Sequence, residues 1–298
     1  MNATSVASIM AGVLLLTSLT TYGPAPGETP PAAQKVTLDG VIHADSDDTP
    51  AFTPTEDTVF FDRSEGTHKT IMMSRLGDGK WATPQVASFS GRWFDQDPVI
   101  APDGSYLLFN SDRPVTPGGQ PLRQNYFKGG PGPGSNIWRV DRKGAGWSKP
   151  KWLGPIINND VFVDFASIAR DGSLYFIRWD DQAKAMHIWK SIYRGGRYLA
   201  PEFVQLGDPS VSTHDPAVAP DQSFIVFDYG KVKGGLGRLC VAFREATGWS
   251  EPVDLGDEIN SDIPWGAHVG PNGREIYYTG NSGIWQIPAR SLLQKKTE

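Results

Sequence analysis

The stretch DQDPVIAPDGSYLLFNSDR, from Asp95 to Arg113, has a clear copy in THDPAVAPDQSFIVFDYG, from Thr213 to Gly230. Each stretch holds an Asp-Pro pair, a short apolar run, a Pro-Asp turn signal and a second apolar run. This is the pattern of two antiparallel strands joined by a tight turn. Three weaker copies start at Asp47, Val163 and Pro264. A unit that recurs in this way indicates a repeat fold, here with five copies.

A further pair of short strands follows in the first four copies. In the second copy, NIWRVDRKGAGW runs from Asn136 to Trp147, and Pro150 follows three residues later. Proline is tolerated at the first residue of a strand because its missing amide need not enter the ladder. Four-stranded units repeated around an axis form a β-propeller. The sequence therefore predicts an all-β fold, a five-bladed β-propeller of four-stranded blades, with six blades as the alternative.

The fifth copy ends at IWQIP, Ile284 to Pro288, without a fourth strand. The segment KVTLDGVIHAD, which begins at Lys35, resembles the fourth-strand segment EPVDLGDEINSD, which begins at Glu251. We predict that Lys35 to His43 supplies the missing strand, since a closed ring leaves no open sheet edge. This assigns residues 34–290 to the propeller and residues 291–298 to a polar C-terminal tail.

One repeat position holds a large or apolar side chain in every unit. Its members are Met72, Trp138, Trp189, Cys240 and Trp285. Large apolar groups at one fixed position of a repeat favour packing between neighbouring units. We therefore interpret these tryptophans as core residues and Cys240 as a buried substitute for one of them.

The units resemble the WD-like repeats of the TolB-type β-propeller family. The resemblance rests on D-P-x-x-x-P-D-G, an apolar strand, S-D-R and I-W, which in the second copy are Asp97–Gly104, Ser111–Arg113 and Ile137-Trp138. It covers about residues 35 to 288, the propeller part only, without the N-terminal domain of TolB. It implies a propeller fold and leaves the activity open, because similar propellers occur in binding proteins and in peptidases.

Residues 1–33 differ in composition from the rest of the chain. An apolar stretch runs from Val6 to Leu19, and a Pro/Gly/Ala-rich segment follows it. This is typical of a signal peptide with a Pro-rich linker. The run is shorter than the roughly 20 apolar residues that span a bilayer, so an uncleaved anchor is the second choice. We expect a periplasmic or secreted protein with no membrane span in the mature chain.

Charge and motif content argue against several functional classes. Lys and Arg number 28 and Asp and Glu number 33, which gives a net charge of −5 and not the basic surface that nucleic acids require. No G-x-S-x-G, H-E-x-x-H or paired C-x-x-C occurs, and the histidines lie in separate units. We therefore assign no catalytic residue, no metal and no cofactor, and we expect a monomer that does not bind nucleic acid.

The candidate site lies on the face where two loops of each blade emerge around the channel. These are the loop before the first strand and the loop between the second and third strands. The ligand-binding candidates on this face are Asp97, Arg113, Asp164, Arg178, Trp179, His214, Asp215 and Trp265. Each of them has a structural role as its alternative, since turn aspartates bond backbone amides and S-D-R can form an ion pair between blades.

An insertion from Thr116 to Gly134 emerges on the same face. Its Arg123, Tyr126 and Phe127 are candidates for a lid, because long loops in compact domains often cover binding sites. The alternative is an insertion that is merely tolerated.

Two functions are compatible with this pattern. The first is a non-enzymatic module that recognises a protein, peptide or glycan at the channel mouth. The second is a glycoside-active enzyme, since five-bladed glycosidases of the arabinanase type resemble this chain at Asp97-Pro98 and Asp215-Pro216. Hydrolysis needs two carboxyl groups roughly 5 to 9.5 Å apart. Asp97, Asp164 and Asp215 are available, but we find no counterpart of that family's glutamate acid, so the binding function comes first.

Overall fold

The computed structural model describes residues 32–125, 131–230 and 237–295. The predicted signal peptide and the predicted lid residues Tyr126 and Phe127 lie outside these ranges. Within them the chain forms short antiparallel strands, as expected for a sequence rich in β-branched and aromatic residues between turn signals.

The strands follow one another blade by blade. A first strand β1 (Gln34–Lys35) and a 3-10 turn (Leu38–Gly40) precede blade 1, which contains β2 (Asp47–Phe52), β3 (Thr58–Glu65), β4 (His68–Gly77), β5 (Lys80–Trp81) and β6 (Gln85–Val86). Blade 2 contains β7 (Asp95–Ile100), β8 (Tyr106–Ser111), β9 (Arg123–Gln124), β10 (Gly132–Pro133), β11 (Asn136–Lys143), β12 (Gly146–Trp147) and β13 (Lys151–Trp152). Blade 3 contains β14 (Val163–Ile168), β15 (Leu174–Asp180), β16 (Ala185–Ser191), β17 (Tyr193–Arg194), β18 (Arg197–Tyr198) and β19 (Glu202–Phe203). Blade 4 contains β20 (Thr213–Val218), β21 (Phe224–Tyr229), β22 (Arg238–Glu245), β23 (Gly248–Trp249) and β24 (Val253–Asp254), and a short helix α1 (Asp257–Asn260) follows. Blade 5 contains β25 (Trp265–Val269), β26 (Glu275–Gly280) and β27 (Gly283–Pro288), followed by helix α2 (Arg290–Lys295).

The first strands of the blades surround a common axis. Strands β2, β7, β14, β20 and β25 contact one another in this order, and β25 contacts β2. Each pairs with the second strand of its blade, the second pairs with the third, and a two-residue outermost strand pairs with the third. The prediction of an all-β, five-bladed propeller is confirmed, and the six-bladed alternative is wrong.

The N-terminal strand closes the ring, as predicted, but it is shorter than Lys35 to His43. Strand β1 pairs antiparallel with β27, with Gln34 opposite Gln286 and Lys35 opposite Trp285. The Val36 amide donates to the Ile284 carbonyl at 2.8 Å, and the chain then turns away. Leu38 has φ 45° and Gly40 has φ 86°, and such positive values end an extended strand.

Five apolar clusters lie between neighbouring blades, one at each junction. The repeat column is in register: Met72, Trp138, Trp189, Cys240 and Trp285 each lie opposite an aromatic residue of the second strand, namely Phe61, Phe109, Phe176, Phe227 and Tyr278. Cys240 is 5% exposed, so its burial agrees with the interpretation as a core residue. The cores are therefore built between blades, and each blade depends on its neighbours.

The segment assigned to a polar tail includes helix α2. Its Leu292 is buried in the cluster between blades 4 and 5. Among the residues that the structure describes, no helix is long and apolar enough to cross a membrane.

Candidate binding site at the mouth of the channel

Every innermost strand carries a bulge at the same repeat position. The bulged residues, which we call the bulge ring, have φ between 48° and 61°; they are Thr49, Asp97, Phe165, Asp215 and Gly266. The strand register shifts at each of them. Left-handed backbone is uncommon for residues other than glycine. Its occurrence in every blade shows that the bulge belongs to the repeat and turns these residues out of the sheet ladder.

The residues that precede the bulges form a second ring, nearer the start of each innermost strand. We call it the mouth ring; its members are Asp48, Gln96, Asp164, His214 and Trp265. Four of them are half-buried, and Asp164 is 7% exposed. The Gln96 side-chain amide donates to the Asp164 carboxylate at 3.4 Å, which links the neighbouring blades 2 and 3. The two rings surround the axis at one face of the propeller, and we call the region that they enclose the cup.

Phe165 forms the floor of this cup. It comes from blade 3, and its ring centroid lies 5.4 Å from that of His268 in blade 5, so the side chain reaches across the axis. A Cβ on Gly266 would lie 3.5 Å from the Phe165 Cζ and 3.0 Å from the Thr49 Cγ2, so a larger residue would crowd Thr49. A cavity of about 20 Å³ is lined by residues of blades 1, 2 and 5, including Pro50 and His268. A space of that size holds at most one water molecule.

Second-strand side chains bind the bulge amides of the next blade. The Asp97 amide donates to Asp62 Oδ1 at 3.0 Å, and the Phe165 amide donates to Asn110 Oδ1 at 3.2 Å. The Thr49 amide donates in the same way to Thr279 Oγ1 at 3.2 Å. These bonds satisfy amides that the bulges remove from the ladder. They also explain why polar residues are buried at this position.

Blade 4 departs from this pattern. The Gly266 amide donates to Asp215 Oδ2 at 3.1 Å, although Asp228 occupies the second-strand position of blade 4. No donor of the described residues bonds to either oxygen of the fully buried Asp228 carboxyl. Its polar neighbour is the Asp215 carboxyl. Burial and the neighbouring Asp215 charge raise the pKa of Asp228 well above its usual range, so Asp228 is the protonated member of the pair.

Burial shifts the acid–base equilibria of the axial carboxyl groups. Burial raises the pKa of Asp62 to about 7 and the pKa of Asp215 to about 7. Burial and the charges of Asp62, Asp164 and Asp215 raise the pKa of Asp97 well above its usual range. Burial also raises the pKa of Asp164, against the opposing effect of the hydrogen bond from Ser135. The site therefore holds more carboxyl groups than its surroundings can keep ionised.

Of the lysines and arginines that the structure describes, Lys69 forms ion pairs with this cluster. Its ammonium group lies 3.0 Å from Asp48 Oδ2 and 3.4 Å from Asp62 Oδ2. Although burial lowers the pKa of Lys69, the Asp62 and Asp48 charges outweigh it and raise the pKa above its usual range. Lys69 therefore stays protonated and neutralises the blade 1 side of the cup.

The structure brings most of the predicted site residues together and places Arg113 elsewhere. Asp97, Asp164, His214, Asp215 and Trp265 belong to the two rings. Arg113 is 8% exposed and bonds Asp95 Oδ1 at 2.6 Å and the Phe89 carbonyl at 3.1 Å. Arg113 and Asp95 both belong to blade 2. The guanidinium is bound to these partners and does not belong to either ring.

Arg178 and Trp179 lie at the end of the second strand of blade 3. The Arg178 guanidinium lies over the Trp189 ring, 3.6 Å from its centroid, and burial lowers its pKa. The Trp179 indole donates to Asp181 at 3.2 Å. Both side chains are half-buried. These contacts place Arg178 and Trp179 at the edge of the face, whereas the contacts of Asp97 and Phe165 lie at the axis.

The base of the predicted lid is a small hairpin. Arg123 lies opposite Pro133 in the pairing of β9 with β10, and it is exposed. The hairpin leads into Ser135, whose hydroxyl donates to Asp164 Oδ1 at 2.6 Å. The insertion is thus connected by one residue to the mouth ring. Its tip, including Tyr126 and Phe127, lies outside the described residues.

Five members of the two rings were not among the predicted candidates, because the Asp-Pro pairs were interpreted as strand starts. They are Thr49, Phe165 and Gly266 in the bulge ring and Asp48 and Gln96 in the mouth ring. The bulge lies inside the strand instead. Aligning the five copies on the residue before Pro98, Pro216 and their equivalents would have put Phe165 in the same column as Asp97 and Asp215.

The side chains of the cup do not favour a metal centre. In the described ranges, no group of three or more His, Cys, Asp or Glu side chains is arranged to hold a metal ion. The axial carboxyl groups are distributed over four blades and compete with one another for hydrogen bonds and protons.

Comparison with known proteins supports the fold only. No family model and no curated protein matches the sequence. Among solved structures, a thermostable family-43 glycoside hydrolase has a TM-score of 0.51 at 11% identity, over 82% of this chain and 88% of that chain. A putative TolB from Agrobacterium tumefaciens has a TM-score of 0.49 at 16% identity, over 78% and 69%. A gluconolactonase from Xanthomonas campestris has a TM-score of 0.44 at 12% identity, over 87% and 94%. At such identities a shared propeller does not carry function, because one fold hosts many activities.

Proposed function

We propose that this protein is an exported binding module that recognises a protein, peptide or glycan in the cup at the channel mouth. The observation that carries the proposal is the cup itself: two concentric rings of side chains above a floor closed by Phe165. Concave sites with a few convergent polar groups are the usual place for ligand recognition. Half-buried His214 and Trp265 stand at its rim, where an aromatic and an imidazole side chain can contact a ligand.

Hydrolysis of glycosides is the second candidate. The observation that favours it is the Asp215–Asp228 pair, in which one carboxyl is protonated beside an ionised one. A general acid must reach its substrate, however, and Asp228 is fully buried. The two rings contain no glutamate. Binding therefore accounts for the site better.

The test is a comparison of three variants of the full chain. Wild-type protein, the double variant His214→Ala/Trp265→Ala and the control Asp221→Asn are immobilised and screened against a random peptide library, a glycan array and a cell-envelope extract. Asp221 caps a turn on the opposite face through Ser223 and does not touch the cup. We expect wild type and the Asp221→Asn control to bind the same ligands. The His214→Ala/Trp265→Ala variant should no longer bind them.

Equal retention by all three variants would contradict the proposal. The hydrolase alternative is tested in parallel by incubating wild type with plant and bacterial polysaccharides. New reducing ends that disappear in Asp215→Asn would replace binding with hydrolysis as the function.

A further inference from the structure

Among the described residues, carboxyl groups outnumber basic groups in the cup. Six aspartate side chains belong to the rings or contact them from the second strands; they are Asp48, Asp62, Asp97, Asp164, Asp215 and Asp228. Lys69 balances Asp48 and Asp62 in blade 1. The nearby Arg63 and Arg113 are bound to Asp47 and Asp95, which lie outside the rings. In the ranges the structure describes, no lysine or arginine forms an ion pair with Asp97, Asp164 or Asp215.

The buried Asp228 carboxyl points to a missing positive charge independently of the number of charged groups. Asp228 is 0% exposed, and no donor of the described residues bonds to either of its oxygens. Its carboxyl faces Asp215 in the bulge ring. A buried carboxyl group costs free energy unless it has a donor, a proton or a positive charge nearby. A cation next to Asp215 would supply the positive charge that this pair lacks among the described residues.

The arrangement suits an organic cation better than a metal ion. Asp97 and Asp215 project from blades 2 and 4, which are not neighbours, and Phe165 lies between them in the chain order of the ring. No three acidic or imidazole groups of the described residues converge as metal ligands do. An aromatic ring at the floor is a partner for an ammonium or guanidinium group through its π face. A guanidinium also matches carboxylates on two sides.

We infer that the cup binds a basic side chain of a peptide or protein ligand, a protonated amine or guanidinium that lies against Phe165 between Asp97 and Asp215. This inference rests on the proposed binding function and names the chemistry of the ligand. An amino sugar also carries a protonated amine and is the alternative ligand. A cationic sugar used as a probe distinguishes an amino sugar from a basic peptide side chain.

The experiment uses small probes and the full chain. N-acetyl-lysine amide and N-acetyl-arginine amide are titrated by calorimetry, with N-acetyl-norleucine amide as the neutral isostere of lysine and a glucosamine dimer as the cationic sugar. We expect either basic amide to bind about tenfold or more tightly than norleucine amide, the ratio that one charge-assisted hydrogen bond supplies. Binding of the glucosamine dimer without binding of the basic amides would overturn the peptide assignment.

The variants are chosen to keep the fold. Asp97→Asn and Asp215→Asn retain the shape and the acceptor oxygen of each side chain, and each should weaken binding of the basic amides about tenfold. Asp221→Asn is the matched control on the opposite face and should leave binding unchanged. Equal affinities for lysine and norleucine amides, or unchanged affinity in both ring variants, would overturn the inference.

A pH series on wild type provides a readout that does not depend on any variant. Asp215 faces Asp164, Asp228 and Lys69, and Asp97 faces Asp62, Asp164, Asp215 and Lys69. Because burial raises the pKa of Asp215 to about 7, this carboxyl is largely protonated at about pH 5.5 and ionised at about pH 8.5. A bound cation requires the ionised form, so affinity should rise about tenfold or more over this range. A flat profile or a falling one would contradict the inference.

Failure of this inference and failure of the proposed function give different results. If the basic amides do not bind but the library and array ligands still require His214 and Trp265, the module binds something uncharged and only the inference fails. If nothing requires the mouth ring, the proposed function fails as well.

Discussion

Asp215 shows how one buried carboxyl links the site to stability. Burial raises its pKa to about 7 in the folded protein, whereas an unfolded aspartate has a pKa of about 3.9. Between these values the folded state holds a proton that the unfolded state has released. The contribution to stability is therefore complete below the unfolded pKa and is lost as the pH rises through about 7.

We predict that Asp215→Asn reduces the pH dependence of unfolding. In wild type, Asp215 and Asp62 make the free energy of unfolding fall between about pH 5 and about pH 8, since both carboxyl groups have a pKa of about 7. Asparagine does not titrate, so the fall should be smaller in the variant. Urea denaturation at the two pH values measures it. His268, whose pKa burial lowers to about 4, acts in the opposite direction, but it is present in both proteins and cancels in the comparison.

The Phe165 side chain is expected to stabilise the fold by its packing across the axis. It is 5% exposed and contacts His268 across the axis, so Phe165→Ala should cost about 3 to 5 kcal/mol, the usual range for a buried phenylalanine. Phe203→Ala is the control, because Phe203 is 36% exposed on the outermost strand of blade 3. Chemical denaturation should show a clearly smaller loss for the control. Equal losses would mean that the ring of Phe165 does not fill the axis.

At the scale of the element, the sequence predicted the strands better than the site. The Pro-Asp turns, the Asn136 to Trp147 strand pair and the tryptophan column followed from repeat alignment alone, because strand period and turn residues are local properties. The bulges at Asp97 and Asp215 could not be predicted from the repeat alignment. Their left-handed backbone is stabilised by amide bonds to Asp62 of the preceding blade and to similar residues, and contacts between blades are not visible in one repeat.

The hairpin at the base of the insertion is packed closely around Gly134. A Cβ on Gly134 would lie 2.6 Å from the Leu122 Cβ and 2.7 Å from the Val161 carbonyl oxygen, so Gly134→Ala must displace the hairpin. We expect a loss of about 1 to 3 kcal/mol in the free energy of unfolding, typical of overpacking. The adjacent bond from Ser135 to Asp164 should weaken with it, and with it the binding of any ligand in the cup.

Gly77→Ala is the control for this element. A Cβ at Gly77 meets no atom within 4 Å, and Gly77 has no positive φ. Its free energy of unfolding should stay within about 0.5 kcal/mol of wild type, as for most surface substitutions. If Gly134→Ala behaves in the same way, the hairpin does not hold the mouth ring.

At the scale of the whole molecule, stability depends on closure between the first and last elements of the propeller. Strand β1 completes blade 5, and Val36, 7% exposed, packs into the cluster between blades 5 and 1. The sequence predicted this closure because the fifth unit lacked a fourth strand. It overestimated the strand, since the template strand is itself only Val253–Asp254, and the chain then turns at Gly256 with φ 93° as it turns at Leu38 and Gly40.

Two valines test the closure: Val36, directly after β1, and Val86, on β6. Val36→Asp places a charge in the cluster between blades 5 and 1, and it should cost several kcal/mol, since removing a buried valine alone costs about 1.5 to 3 kcal/mol. Val86→Asp is the matched control: Val86 lies on the outermost strand of blade 1 and is 50% exposed. Thermal melts should show a large fall in the midpoint for Val36→Asp and little change for Val86→Asp. Equal midpoints would mean that the N-terminal segment does not close the ring.

The floor at Phe165 also restricts how a ligand can be presented. Because the Phe165 side chain crosses the axis, a ligand in the cup enters and leaves on the side of the mouth ring, and a polymer threaded along the axis would meet this aromatic side chain. What the cup recognises must therefore be an end or a protruding side chain, and the remainder of a large ligand stays outside against the rim. Two ligands cannot occupy the cup from opposite sides, so any second binder competes with the first for one opening.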